Sequence, residues 1–258
     1  MSETLVRYEV KDGVAWLTLD SPRNRNALSS TLVAQLHEGL RDAAADADVR
    51  VVVLGHAGNT FCAGADLSEA TSGPQDPEGP AAARARALAG LLRAVVESPK
   101  PVIAAVDGHV RAGGMGLVAA CDMAVAGHEA TFALTEARLG VAPSIISLTV
   151  LPRLTSQAAS RYFLTGEKFG SQEAAELGLI TMAADSVTEA VDDLVAALRL
   201  GSPQGLAESK ALVTASVLAA FDAHADELAS TSARLFASEE ANEGMTAFLE
   251  RRKPRWAQ

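Results

Sequence analysis

The chain has 258 residues, of which 48% are hydrophobic and 21% charged, enough for one large globular domain or a core with a small appendage, and not the composition of a disordered chain. Its formal net charge of −10 argues against nucleic acid as the main partner, because binding DNA or RNA needs a basic face; a small anionic ligand held by a local basic cluster stays open. Cys62 and Cys121 fall in no Cys-x-x-Cys or Cys/His pattern, so they read as buried free thiols in a reducing compartment and no metal is expected. The start, MSETLVRYEV, has no basic and apolar leader pattern, and the apolar zone 102–126 is broken by Asp107, His109, Arg111 and Asp122. No membrane span is expected, and the cytoplasm is the expected location.

The first elements are two β-rich alternating stretches, 3–10 and 14–19, joined by an Asp12-Gly13 hairpin turn. The segment SPRNRNALSS is a turn region, and Ser29 is placed to cap a helix whose apolar face is Leu32, Val33, Leu36 and Leu40. Residues 49–55 form a buried strand. The Gly-, Pro- and acid-rich stretch 68–82 reads as a loop placed to act as a lid. A helix over 83–97 stops at Ser98-Pro99 and Pro101, a strand covers 102–106, and another helix starts near Gly113. Short strands are predicted over 122–127, 130–134 and 179–184. Helices are predicted over 144–151, 156–164, 171–177, 187–200, 204–219, 222–236 and 239–252. The division expected is an α/β core over 1–185 carrying the site and a helical C-terminal module over 186–258. Strands separated by helices put ligand sites at the strands' carboxyl ends.

Three segments carry candidate chemistry. FCAGADL (61–67) and RAGGMG (111–116) each read as a buried strand ending in small residues and turning into a helix. Small residues leave backbone N–H groups unobstructed, and two such groups aimed at one point make an oxyanion hole. Each segment alone also fits plain close packing, and Asp66 fits a helix cap before Leu67. RAGGMG lacks both the dinucleotide G-x-G-x-x-G spacing and the phosphate-loop lysine. The third segment, TFALTEARLGVAPS (131–144), places Glu136 among Phe132, Leu134, Leu139 and Val141. A carboxylate desolvated there has a raised pKa and suits acid–base work near neutrality; a helix-start glutamate facing water is the alternative.

Together, FCAGADL, DGHVRAGGMGLVAACDMAVA and ATFALTEARLGVAPSIISLTVLPRL resemble the crotonase (enoyl-CoA hydratase/isomerase) superfamily, from about Val6 to Trp256. The resemblance implies an α/β fold, a spiral of ββα units with a helical C-terminal module used for trimerisation, trimers often pairing into hexamers. It implies an oxyanion hole from the N–H of Ala65 and Gly113, with Gly114 as the neighbouring alternative, around the thioester oxygen of an acyl-CoA. RNAL, with Arg25, Ala27 and Leu28, and the run Ala63, Gly64, Ala65, Asp66 and Leu67 match the segments that hold CoA. The terminal MTAFLERRKPRW, with Phe248 and Lys253, resembles a final helix that reaches the CoA nucleotide. Arg25, Arg251, Arg252, Lys253 and Arg255 are placed to offset its phosphates, and a solvated tail is the other reading of that cluster. No cofactor is implied beyond the CoA of the substrate.

One position departs from the common pattern. Two-glutamate hydratases of this superfamily carry a glutamate where Gly116 stands and another where Glu136 stands; only Glu136 is present. In this region the chain is similar to methylglutaconyl-CoA-type hydratases, which have glycine at the first position. The expected activity is hydration of a 2-enoyl-CoA with Glu136 as the single base toward water. Glu69 and Glu78 are candidates for a second acid. Enoyl-CoA isomerisation and acyl-CoA hydrolysis are same-family alternatives, and a non-catalytic acyl-CoA-binding protein is the alternative of another class. His109 and Arg111 are expected to be structural, Arg111 on a surface turn. Ser144 and Ser147 are candidates to hydrogen-bond a polar acyl group or the attacking water.

Overall fold

A computed structural model of the chain describes residues 3–70 and 79–258. The hairpin β1 (Val6–Lys11) and β2 (Val14–Leu19) pairs Lys11 with Val14. Asp12 and Gly13 both take positive φ, +49° and +72°, as a two-residue turn of the primed type demands. Ser29 accepts a hydrogen bond from Leu32 N at 3.2 Å and starts α1 (Ser30–Ala45), whose Leu32, Val33, Leu36 and Leu40 are buried as expected.

Three successive units then build the body. The first is β3 (Val51–His56), β4 (Thr60–Cys62), the single turn α2 (Leu67–Ala70) and α3 (Pro80–Glu97). The second is β5 (Val102–Val106), β6 (His109–Arg111) and α4 (Gly113–Ala120). The third is β7 (Met123–Gly127), β8 (Thr131–Ala133) and a 3₁₀ turn, Glu136–Leu139. In each unit the first strand joins a six-stranded sheet of order β1-β2-β3-β5-β7-β10, where β10 is Met182–Ala184, and every pairing after β1–β2 is parallel. The second strand joins a small sheet, β4-β6-β8-β9, where β9 is Phe169–Gly170. This alternation is the ββα spiral. Strands β3 and β5 are almost wholly buried, which is why they read as continuous apolar runs rather than alternating ones.

The main core fills the space between the large sheet, α1, α3, α4 and the small sheet. All eight residues of α4 are buried, so its sequence GGMGLVAA has no polar face. Arg153 closes the carboxyl end of α4 by donating to Ala119 O and Cys121 O at 3.2 and 2.7 Å. A second cluster lies on the other face of the sheet, under α8 (Val187–Arg199).

Several expectations need correction. FCAGADL begins in β4 and RAGGMG in β6, three-residue strands of the second sheet, too short to show a period. The stretch 68–82 holds the end of α2 and the start of α3, and the rest of the expected lid, with Glu78, lies outside the described residues. The helix over 144–151 is one α-turn, α5 (Ser147–Val150), running into a 3₁₀ turn, Leu151–Arg153. Helices α6 (Ser156–Thr165) and α7 (Ser171–Glu176) follow. The two helices over 204–219 and 222–236 are one, α9 (Pro203–Phe236), because no glycine or proline interrupts 206–236. The last helix, α10 (Glu239–Leu249), stops before the basic tail.

Helix α9 packs along α3. It is tied down by Lys210, 7% exposed, whose Nζ donates to Val95 O (2.9 Å), Lys100 O (3.2 Å) and Asp122 Oδ2 (2.7 Å).

Candidate active site

The small sheet brings the three motif segments together. Strands β4, β6 and β8 run parallel, with Cys62 beside Val110, Val110 beside Phe132 and Arg111 beside Ala133. Their carboxyl ends therefore lie side by side and release Ala63–Asp66, Ala112–Gly114 and Leu134–Glu136 at one edge. Ala112 N donates to Ala133 O at 3.0 Å and fixes the second segment to the third.

The first two segments touch. A Cβ on Gly64 would lie 2.7 Å from Ala112 Cβ and 3.6 Å from Gly113 N, and Gly64 has φ of +93°. Only glycine fits there, for both reasons. The segment 25–28 lies against the other side: Ala63 N donates to Arg25 O (3.1 Å) and Leu28 N to Gly64 O (2.8 Å). Leu28 Cδ1 would be 2.8 Å from a Cβ on Gly113. Ala27 and Leu28 are buried, and Arg25 is exposed. Among the described residues neither Ala65 N nor Gly113 N has a hydrogen-bond acceptor, and Gly113 opens α4, where a helix has no internal partner for its first amides. Two unspent donors thus stand on abutting segments. Gly114 instead abuts Cys62, whose Cβ would be 2.7 Å from its own.

Glu136 starts the 3₁₀ turn that ends at Gly140 in the left-handed region. It is 8% exposed, and its Oε2 has no partner among the described residues. Burial pushes its carboxyl up to about 7, against a smaller opposing pull from its own backbone amide. The water-facing alternative for this residue is thereby corrected: its side chain is buried. Helix α10 buttresses the turn from behind, since Cβ atoms on Gly140 and Gly244 would lie 2.5 Å from Glu240 O and 2.4 Å from Leu139 O. Leu67 packs in the adjoining cluster with Val141, Ala241 and Met245.

The space above Gly116 is filled. A Cβ there would lie 2.4 Å from Ile146 Cγ2 and 2.7 Å from Ile146 Cβ. Ile146 is 2% exposed, so the place of a first glutamate is occupied by a packed aliphatic side chain. Glu69 faces elsewhere: its carboxylate accepts from Ser30 N (3.0 and 3.1 Å) and Ser30 Oγ (2.7 Å).

The remaining expected residues fall as follows. Asp66 accepts from Ser68 N (3.0 Å), Ser68 Oγ (2.7 Å) and Asn24 Nδ2 (3.2 Å), which is a capping role. Burial works against its ionised form, but these donors hold its pKa below the usual range. Arg111 is in strand β6 rather than on a surface turn, and clamps β8 through Thr131 O (2.6 Å) and Thr131 Oγ1 (2.8 Å). His109 Nδ1 lies 3.0 Å from the same hydroxyl. Ser144 and Ser147 spend their hydroxyls on the local backbone, at Ala142 O (3.3 Å) and Ser144 O (2.6 Å). Phe248 is 60% exposed and Lys253 is exposed, and no described contact joins either to the 63–67 or 112–116 segments. Arg252 is paired with Glu243 at 2.7 Å, and that pairing holds the Glu243 carboxyl down to about 2. Burial pushes both thiols, Cys62 and Cys121, up to about 12, which keeps them protonated and inert. No group of three or more metal-binding side chains exists among the described residues, nor does any helix there have the length and apolarity to cross a membrane.

Sequence reasoning gave no individual role to two residues that shape this edge. One is Ile146. The other is Asn26, fully buried at φ +54°, which accepts from Ser21 N (2.7 Å) and donates to Ala57 O (3.0 Å) and Thr60 O (2.7 Å). An asparagine in a turn next to a strand end was the available signal for it.

A ββα spiral whose second strands deliver free amides and a buried carboxylate to one edge defines the crotonase class of fold and site. The sequence profile of the enoyl-CoA hydratase/isomerase family matches residues 9–258, and the chain belongs to that family. It is 33% identical to the 2,3-dehydroadipyl-CoA hydratase of Escherichia coli (strain K12) over 98% of each chain. It is 28% identical to the peroxisomal Delta(3,5)-Delta(2,4)-dienoyl-CoA isomerase of Arabidopsis thaliana, over 98% of this chain and 96% of that one. The crystal structure of an enoyl-CoA hydratase from Mycobacterium avium superposes with a TM-score of 0.90 at 60% identity, covering 99% of this chain and all of the other.

Proposed function

We propose that the chain hydrates a 2-enoyl-CoA with one carboxylate, Glu136, and an oxyanion hole formed by the N–H groups of Ala65 and Gly113. The observation that carries this reading is the juxtaposition at the sheet edge: two free amides on abutting segments, and on the neighbouring segment a buried carboxyl with an unpartnered Oε2. The thioester oxygen sits between the amides. Water adds to Cβ while Glu136 takes its proton, and negative charge moves onto the thioester oxygen as an enolate. Glu136 then returns the proton to Cα and the enolate collapses to the saturated 3-hydroxyacyl thioester. A carboxyl with a pKa of about 7 suits both halves, because it is neither firmly ionised nor firmly protonated at neutral pH. Each amide strengthens its hydrogen bond as charge develops, which is the stabilisation that accelerates the step.

In this reading Arg25, Ala27, Leu28, Ala63, Gly64, Asp66 and Leu67 form the CoA-side wall. Phe248, Lys253 and the basic tail contribute only in an assembled oligomer, a trimer or a pair of trimers. Exposed Leu212, Val213, Phe248 and Leu249 support such an assembly.

A second reading is double-bond isomerisation, with Glu136 moving a proton between two carbons. The apolar Ile146 above Gly116 favours it, since that place then holds no polar group to seat a water. Product analysis separates the two. In heavy-oxygen water, hydration gives a labelled 3-hydroxyacyl-CoA and isomerisation gives an unlabelled shifted alkene. Free CoA as the product, or no turnover of short, branched and medium 2-enoyl-CoAs, overturns the hydratase reading.

A further inference from the structure

Ala112 has φ of +48° and ψ of −120°. These are the angles of the first central residue of a type II′ turn, a place where glycine is strain-free and a residue with a Cβ is not. Among the described residues the other non-glycine residues with positive φ are Asp12, Arg25, Asn26 and Arg251, all polar residues in turns, and Arg25 lies in the ordinary left-handed region with ψ of 41°. Among the described residues Ala112 alone combines an aliphatic side chain and a positive φ with a ψ outside that region. The chain places alanine here although the next two residues are glycines.

The methyl group has a specific neighbour. It stands 2.7 Å from where a Cβ on Gly64 would be, so it packs on the bare Cα of the residue that precedes Ala65. The Ala112 backbone is pinned on both sides: its N–H donates to Ala133 O (3.0 Å) and its carbonyl accepts from Met115 N (2.8 Å). With those ends fixed, ψ of Ala112 sets the direction of the Gly113 N–H. A glycine at 112 would have only those two hydrogen bonds to hold its ψ; the methyl wedged against Gly64 narrows it further.

We infer that Ala112 is a positioning residue: its strained methyl spaces the Gly64 and Gly113 backbones and aims the two hole amides at one point. This rests on the reading that Ala65 and Gly113 form the oxyanion hole. It goes beyond that reading by assigning the aim to a side chain that itself touches no substrate. Strain kept at a functional edge predicts an unusual signature, in which removing the group relieves the fold and harms the chemistry.

The test is Ala112→Gly in the full-length chain, with three readouts. The melting temperature is expected to hold or rise by a few degrees, because the positive φ no longer opposes a Cβ. The kcat is expected to fall roughly tenfold or more, with KM little changed, because misaimed donors cost transition-state stabilisation more than binding. The third readout is the stretching frequency of an isotope-labelled thioester carbonyl in bound butyryl-CoA. It is expected to be lowered in the wild type and lowered less in the variant. A wild type that lowers the carbonyl frequency, with a variant that matches it in frequency and kcat, overturns the inference while the hole stands. A variant whose melting temperature drops sharply also overturns it, since the methyl is then ordinary packing. A wild type that binds butyryl-CoA without lowering the frequency overturns the hole reading, and the inference falls with it.

Discussion

Gly116→Ala is the sharpest probe of the packing of Ile146 over Gly116. The added Cβ would meet Ile146 Cγ2 at 2.4 Å and Ile146 Cβ at 2.7 Å, whereas carbon atoms in contact prefer about 3.5–4.0 Å. Turning one methyl away does not relieve this, because the second contact is to the branch carbon itself. Ile146 is 2% exposed and sits in the main core, so it has nowhere to retreat. Overpacking of this kind costs about 1–3 kcal/mol, and replacing a helical glycine with alanine returns about 1 kcal/mol. The net expectation is a loss of up to roughly 2 kcal/mol, read by urea unfolding with an unchanged slope at fixed protein concentration. In an Ile146→Gly background both close contacts are gone, the nearest remaining atom being the Cα of residue 146 at 3.4 Å, and the new methyl fills part of the cavity. There the same substitution should stabilise by about 1 kcal/mol. The prediction is thus a reversal of sign, a coupling of about 1–3 kcal/mol within the range seen for touching residues. Equal effects in both backgrounds would refute the account of what fills the space above Gly116.

Two further outcomes follow from the same contacts. Glu136 is protonated more readily in the folded chain, at about 7, than in the unfolded one, where its value is the ordinary 4.5. The folded state therefore binds more protons between those two values, so this group's contribution to stability is full below about 4.5 and is lost as pH rises through about 7, by roughly 3 kcal/mol. Comparing unfolding free energies of wild type and Glu136→Gln across that window isolates the effect, and parallel pH profiles would exclude it. Lys210→Met leaves Val95 O and Lys100 O without their donor and Asp122 without its cation. It should cost roughly 3–5 kcal/mol in urea unfolding, and a loss under about 1 kcal/mol would mean that α9 is held by its apolar contacts alone.

The sequence carried some of this plainly and hid the rest for physical reasons. The hairpin at Asp12-Gly13 and the cap at Ser29 were legible because local chemistry decides them. Strand β3 was legible because a strand buried on both faces reads as an unbroken apolar run. Strands β4 and β6 were not, since three residues show no period and their pairing joins segments roughly fifty positions apart. The small residues that follow them still marked the site, because small side chains are what close backbone approach requires. Glu136 stood out as a carboxylate among apolar neighbours in sequence, but the packing of α10 on its turn, more than a hundred residues later, left no local signal. Ile146 gave no signal at all. An isoleucine in an apolar run looks like any core residue until its Cγ2 is seen on the missing Cβ of Gly116.

The central claim is that one carboxylate carries the proton chemistry. Its most direct test is the turnover number of Glu136→Gln on whichever 2-enoyl-CoA the wild type uses best, with binding of butyryl-CoA measured alongside. A general acid–base group of this kind is worth roughly 10²–10⁴-fold. The account predicts a fall of at least that size with butyryl-CoA binding unchanged, since the hole amides remain. Turnover within a few-fold of the wild type would contradict it.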